Sequence, residues 1–258
     1  MNYIVTTTRS MVNANHLLMG FLTEIGLPFV ERKGQSISQI KKNYNADGVI
    51  VWQERGPILH IGGQKFFYHP SMAKNRISIF RKKGIIAPLI KALDLTNGDK
   101  ILDCTLGLGA DAAVIAYFNP NGYITGIESS FIIANIIKWG MKLYQSELTW
   151  LDEAINRIEV IKVEHLSYLQ SLPDNSFDLV YFDPMFRTPL LKSEPLSPLR
   201  LLANPEPLSS AAVNEACRVA KKRVVIKELA GNQEFSRLGI TRFSGSPNNK
   251  ITYGIINL

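Results

Sequence analysis

From residue 100 onward, short apolar runs alternate with longer amphipathic ones. Lys100–Thr105, Tyr123–Glu128, Arg157–Val163, Phe177–Asp183 and Arg223–Lys227 are nearly continuous in apolar character and of strand length. Helical patterns separate them: one entered through Leu106–Gly109 and running to about Phe118, then Phe131–Gln145, a short one after Val163, and Leu208–Ala220. Uninterrupted apolar strands joined by helices predict a parallel sheet covered on both faces. Leu238–Phe243 and Ile251–Ile256, on either side of a Gly-Ser-Pro-Asn-Asn turn, predict an antiparallel hairpin at the sheet edge.

The first 70 residues have a different rhythm. Tyr3–Thr7, Gly48–Gln53, Pro57–Ile61 and Lys65–Tyr68 read as strands, with turns at Gly56-Pro57 and Gly62-Gly63. Met11–Ile25 and Ser36–Asn43 read as helices. The pattern divides the chain into a small basic α+β domain (1–70), a basic linker and helix (71–97) and the sheet domain (98–258). Within the linker, His69–Lys83 carries Lys74, Arg76, Arg81, Lys82 and Lys83 and leads into a helix at Ile85–Leu93. No repeat or low-complexity tract interrupts this order.

Composition adds one point. At 258 residues and 46% hydrophobic content the chain can bury a core without a metal or disulfide. Cys104 and Cys217 have no zinc-ligand spacing and read as buried thiols of a reducing compartment. The chain opens with no basic-apolar-small leader pattern and has no apolar run of membrane-spanning length, so the expected location is the cytoplasm, away from the membrane. The net charge is +7 but unevenly spread: residues 1–92 hold 13 Lys/Arg against 4 Asp/Glu, whereas residues 93–258 hold 16 against 18. A positive field confined to the N-terminal third favours a polyanionic partner such as nucleic acid over a merely solvated face.

The candidate chemistry lies at the strand ends. KILDCTLGLGAD (100–111) is a strand ending in Asp103, a turn with Gly107 and Gly109, and a helix start. In parallel sheets ligands bind beyond the carboxyl ends of the strands; glycine admits close approach and the helix start offers free N–H donors. Glu128, at the end of the second strand, suits a carboxylate that accepts ribose hydroxyls. The glycine pattern alone leaves a dinucleotide open, with Ala112 as its third small residue. Asp103 argues for a cationic sulfonium and ammonium instead of a diphosphate. Thr105 and Ser129 flank these positions. Glu164 and His165 could reach an adenine edge, or Glu164 could cap the helix after the third strand. Asp111 could complement the helix dipole.

FDLVYFDPMF (177–186) ends a buried strand in Asp183-Pro184-Met185-Phe186. A base amino group is a weak nucleophile because its lone pair is delocalised into the ring. The Asp183 carboxylate and the Pro184 carbonyl can accept its two N–H bonds and aim the lone pair, while Phe186 stacks on the base. In-line transfer from a sulfonium then needs mainly positioning.

These segments resemble the first, second and fourth motifs of class I S-adenosylmethionine-dependent methyltransferases. DPMF is similar to the D/N-P-P-Y/F motif of the amino-group enzymes. DCTLGLGADA together with VYFDPMF looks most like the bacterial small-subunit ribosomal RNA guanine-N2 methyltransferase J family, in which the segments read close to DATAGLGRDA and VYLDPMFP. The resemblance covers roughly residues 98–230. It implies a Rossmann-like seven-stranded sheet, S-adenosylmethionine as cofactor, and guanine N2 of ribosomal RNA, free or in the small subunit, as acceptor. It assigns Asp103, Thr105, Gly107, Gly109, Asp111, Glu128, Ser129 and His165 to the cofactor, and Asp183, Pro184 and Phe186 to catalysis. Lys74, Arg76, Arg81, Lys82, Lys83 and Arg187 are expected to contact nucleic acid, and no metal is expected. Cys104, Leu106, Ala110 and Arg187 depart from the family pattern and leave the acceptor base open. Competing readings are a small-molecule or protein methyltransferase and a non-catalytic nucleic-acid-binding module.

Overall fold

The computed structural model describes residues 1–10, 15–184, 197–245 and 250–258. A seven-stranded sheet lies at its centre, in the order β10-β11-β9-β8-β5-β6-β7. Its strands are β5 (Lys100–Asp103), β6 (Tyr123–Glu128), β7 (Ile158–Lys162), β8 (Phe177–Phe182), β9 (Ala220–Leu229), β10 (Arg242–Ser244) and β11 (Ile251–Asn257). From β7 to β9 all neighbours are parallel; β11 is antiparallel to both β9 and β10. β11 is thus inserted between β9 and the edge strand β10; the terminal hairpin is antiparallel as expected, but its first strand is confined to Arg242–Ser244 in place of Leu238–Phe243. Ile101, Leu102, Ile124, Ile127, Val180 and Val224 are fully buried, as strands covered on both faces require.

β5 pairs with β6 on one side and β8 on the other. The chain therefore reverses its winding at the carboxyl ends of β5 and β8, which opens a crevice there. The helices α5 (Ala110–Phe118), α6 (Phe131–Leu143), α8 (His165–Ser171) and α10 (Ser210–Val219) cover the sheet. Between α6 and β7 the chain forms α7 (Thr149–Asn156), and α9 (Ser197–Leu202) and α11 (Glu234–Arg237) follow later; the sequence pattern did not predict these three short helices.

The N-terminal residues build a four-stranded sheet, β1 (Tyr3–Thr7), β2 (Gly48–Gln53), β3 (Gly56–Ile61) and β4 (Gln64–Phe66), in that order. α1 (His16–Ile25) and α2 (Ile37–Asn43) accompany it, α2 being held by a reciprocal Ser36/Gln39 capping box. One face of this sheet lies on α6. Phe21, Trp52 and Trp139 meet there with ring centroids 5.0–5.8 Å apart, and Glu24 accepts the Trp139 Nε1–H at 2.8 Å. Buried side chains of the small sheet and the large one form a single continuous cluster.

The stretch read as a basic linker is a helix, α3 (Ser71–Lys83), followed by α4 (Pro88–Leu93). Ala73 and Ile77 are buried and Phe80 meets Phe118 at 4.6 Å, so α3 has an apolar stripe despite its charge. α3 packs along α5. The predicted helix start at Met11, the centre of the hairpin turn, Met185, Phe186 and Arg187 lie outside the described residues.

Candidate functional site at the carboxyl edge

Three strand ends converge on the crevice. Asp103 closes β5 and is 1% exposed. One of its oxygens accepts the Thr105 N–H at 3.0 Å, and no cation touches it among the described residues. Burial, together with the charges of Asp111 and Asp183, pushes its pKa up to about 8. Lys227 opposes that rise only from a distance, and a deeply buried carboxylate with no ion pair suits a cationic ligand.

The turn after β5 carries Gly107 at φ 51° and Gly109 at φ 67°, a backbone region closed to most side-chain-bearing residues. A Cβ on Gly107 would stand in ordinary contact with the Thr105 carbonyl at 3.8 Å and Leu199 at 3.9 Å, so it is the positive φ that calls for glycine here. A Cβ on Gly109 would strike Met141 Cε at 2.1 Å, so this glycine serves packing. Gly109 caps α5 without a side-chain bond.

Glu128 ends β6, almost fully buried. Its oxygens accept the Gly107 N–H at 3.1 Å and the Ser130 N–H at 2.8 Å, and Ser129 Oγ stands at 3.5 Å. Burial raises its pKa against those bonds. These contacts tie the ends of β6 and β5 into one cradle. A buried carboxylate with no ion pair among the described residues, a glycine turn and a second carboxylate at the next strand end fit a nucleoside with a cationic tail, as in S-adenosylmethionine.

β8 ends beside this cradle. The Asp183 N–H donates to Thr105 Oγ1 at 2.5 Å, which places the Asp-Pro strand end directly against the glycine turn. Pro184 is half-buried. The Asp183 carboxylate faces Lys227 of β9, with Nζ to Oδ2 at 2.7 Å. Lys227 also reaches Asp111 Oδ2 at 2.9 Å. Asp111 further accepts Tyr181 Oη–H at 2.7 Å and pairs with Arg76 of α3 at 2.5 Å. Held by Lys227 and Arg76 despite its burial, Asp111 keeps its charge well below the usual carboxylate range. Burial pushes Asp183 up, with Lys227 opposing and the Asp111 charge adding to the rise. Tyr253 of β11 stands opposite Lys227 in the strand register, and its phenol is raised by burial and by Asp111.

The sequence-predicted residues divide accordingly. Asp103, Thr105, Gly107, Gly109, Glu128, Ser129, Asp183 and Pro184 gather at one edge. Asp111 is there too, but both of its oxygens are taken by Arg76, Tyr181 and Lys227 and face the β8–β9 side. Arg76, expected among the nucleic-acid contacts, turns inward to Asp111. Its position on α3, 200° from Lys74 at 100° per residue, puts it on the helix face against α5. His165 opens α8 with its ring edge-on to Phe182 at 5.9 Å. Glu164 caps that helix, accepting the Leu166 and Ser167 N–H bonds at 2.9 and 2.8 Å. Lys74, Arg81 and Lys82 line a separate groove of about 570 Å³ between α3 and α7, where the Arg81 guanidinium lies 5.2 Å from the Trp150 ring centre.

The motif reading passed over Lys227 and Tyr181. The signal for Lys227 was present: a lysine inside RVVIK, an otherwise apolar central strand, must find a partner when buried. Among the described residues no group of three His, Cys, Asp or Glu is placed to hold a metal, and no helix is long and apolar enough to cross a membrane.

Comparison with known proteins agrees with this geometry. The family model described as SAM-dependent methyltransferase (SAM is S-adenosylmethionine) matches residues 67–236. Protein YpiP of Bacillus subtilis is 36% identical over 217 residues, 84% of each chain. Ribosomal RNA small subunit methyltransferase J of Buchnera aphidicola is 33% identical over 156 residues, and that of Coxiella burnetii 34% over 131. Those two matches span 59% and 49% of the relatives' own lengths. The crystal structure of the SAM-dependent methyltransferase NGO1261 from Neisseria gonorrhoeae shares the fold, with a TM-score of 0.59 at 19% identity over 98% of this chain and 95% of that one. Strand order, glycine turn and strand-end carboxylates thus coincide with the family match, and the chain belongs to the S-adenosylmethionine-dependent methyltransferases.

Proposed function

We propose that the protein methylates an exocyclic amino group of a nucleic-acid base, with guanine N2 of ribosomal RNA, the acceptor that the motif resemblance implies, as its target. The observation carrying this reading is the bond from the Asp183 N–H to Thr105 Oγ1. It brings an Asp-Pro strand end, suited to a planar amine, against the cofactor turn. Two of the relatives named above are ribosomal RNA small subunit methyltransferases.

Asp103 binds the cationic amino-acid end of the cofactor, the turn through Gly107 and Gly109 admits its middle, and Glu128, steadied by Ser129, takes the ribose hydroxyls. His165, at the third strand end, borders the adenine. Bound there, S-adenosylmethionine supplies an electrophilic methyl carbon. The Asp183 carboxylate and the Pro184 carbonyl accept the two N–H bonds of the amine and turn its lone pair toward that carbon. The carboxylate also steadies the positive charge that grows on nitrogen as the N–C bond forms and the methyl–sulfur bond breaks to leave a neutral thioether, and it takes the proton that the methylated amine gives up. Phe186 and Arg187 contribute the stacking and phosphate contacts of the acceptor loop. The groove of Lys74, Arg81 and Lys82, with neighbouring Lys83, meets the RNA backbone in the cytoplasm.

Mass spectrometry of nucleosides in ribosomal RNA decides the matter. Cells lacking the protein lose one methylated nucleoside; the wild-type gene restores it and Asp183→Ala does not. Unchanged nucleosides in both strains would remove RNA as the substrate.

A further inference from the structure

The small N-terminal sheet has a second face, turned away from α6. Leu59 and Ile61 of β3 point into the shared core, so His60 points the opposite way. That outer face carries its own apolar cluster of Ile4, Val30, Ile40, Val49 and Val51 beneath α2. Beyond it, strand register aligns Val49, His60 and Lys65 in one row across β2, β3 and β4.

Arg32 belongs to the segment that runs beside β1. Val30 is bound to β1 through Val5 at 2.8 Å, and Arg32 opens a tight turn closed by the Gln35 N–H at 2.9 Å. Lys33, at φ 41°, and Gly34, at φ 71°, both occupy the left-handed region in that turn. A non-glycine residue there is uncommon, so the backbone presenting Arg32 is a specified conformation. Among the described residues, Arg32 Nε and Nη1 are shut off from solvent and have no hydrogen-bond partner. Buried guanidinium donors ordinarily find acceptors, and leaving them unmade is costly. The charges acting here are all positive: Arg9 on Arg32, and Lys65 and Arg32 on His60. The nearby Glu31 is turned to Lys33 at 3.5 Å.

We infer that this face is a phosphate-binding site, with the Arg32 guanidinium as its fork and His60, Lys65 and Arg9 as flanking donors. The planar fork matches two phosphate oxygens, and a phosphate would supply the acceptors that its unpartnered nitrogens lack. The site lies on the far side of the small sheet from the carboxyl edge, so it is distinct from the methyl-transfer centre and does not depend on the acceptor assigned there. The phosphate can belong to an RNA backbone or to a free phosphate compound; the chemistry is shared.

The test uses the full chain and two probes: inorganic phosphate at constant ionic strength, followed by thermal unfolding, and a mixed-sequence single-stranded RNA, followed by fluorescence anisotropy across a salt series. In Arg32→Met and Lys65→Gln, phosphate affinity is expected to fall about tenfold or more, the scale of one charge-assisted contact. The phosphate-free Tm of Arg32→Met should stay level or rise, because it removes donors that have no partner. If Arg32→Met does not fold, Arg32→Lys, which keeps the charge but loses the fork, and the surface variant Lys65→Gln carry the same comparison. RNA affinity falling in the same variants, with the salt slope shallower by about one, assigns the site to an RNA backbone. RNA affinity unchanged while the phosphate response is lost assigns it to a free phosphate compound. Wild type that binds neither probe, or variants that bind both as wild type does, would overturn the site.

Discussion

Lys227 and Asp183 form an ion pair of 2.7 Å at the carboxyl edge of the sheet, and the same ammonium holds Asp111 at 2.9 Å. One cation thus aligns the carboxylate assigned to the acceptor amine and neutralises a second, more buried one. Lys227→Met is expected to destabilise the fold by about 1–3 kcal/mol, because Asp111 keeps Arg76 and Tyr181 while Asp183 loses its partner, and to lower kcat about a hundredfold or more. Lys227→Arg should recover part of both. Thermal unfolding with single-turnover assays checks this; a Met variant with wild-type kcat would separate Lys227 from the chemistry.

Asp183 must be ionised to steady the positive charge that grows on the amine while it accepts one N–H bond and the Pro184 carbonyl accepts the other. Its folded pKa is raised to about 6, so kcat should decline as pH falls through about 6. Lys227 opposes that rise, so in Lys227→Arg, where the charge is set at a different distance, the acid limb should move measurably. Asp183→Asn should lower kcat about 10²-fold or more while cofactor affinity changes less than about threefold. A pH–rate profile flat between pH 5 and 8 would contradict the role.

Asp103, raised to about 8, is protonated at neutral pH in the free protein. Its folded pKa lies above the unfolded value of about 3.9, so the folded state binds the proton more tightly. The ligand-free protein should therefore gain stability as pH falls from about 8 toward 4, and Asp103→Asn should flatten that dependence. A cationic cofactor favours the carboxylate, so binding near pH 7 should release close to one proton. Calorimetry in buffers of different ionisation heat measures it; identical heats in all buffers would refute the assignment.

Trp139 joins the two sheets through Phe21 and Trp52. Trp139→Ala should cost about 3–5 kcal/mol and lower the stability of the catalytic half together with the N-terminal one. Hydrogen exchange on β2 and β6 reads this: protection should fall in both strands. Loss confined to β2 would show the small sheet unfolding by itself.

The basic residues of α3 should separate by face. Arg76→Ala removes a partner of buried Asp111 and should lower Tm with little change in the salt slope of RNA binding. Lys74→Gln with Lys82→Gln, in the groove beside Trp150, should leave Tm unchanged and make the slope shallower by about two. Anisotropy titrations across a salt series distinguish the two.

The catalytic sheet was legible because its signals are local. Apolar runs such as Phe177–Phe182, glycines at Gly107 and Gly109, and carboxylates at strand ends follow from periodicity and turn chemistry within a few residues. α7 was not, because it opens at Leu148 with no capping side chain, whereas α2 and α8, no longer than it, open on the capping residues Ser36 and Glu164. α3 was misread because its charges outnumber its stripe of Ala73, Ile77 and Phe80.

By itself the sequence determined the alternation of the main strands with the helices between them, the parallel sheet with an antiparallel terminal hairpin, and the positions of Asp103, Glu128 and Asp183 at strand ends, since each depends on residues close along the chain. Only the tertiary structure decided which charges meet. Arg76, Asp111, Asp183 and Lys227 come from four elements spread over 152 positions, and their pairing depends on how α3 lies along α5 and on β8 standing beside β9. Charge pairing is a matter of distance and burial in space, which linear spacing does not encode.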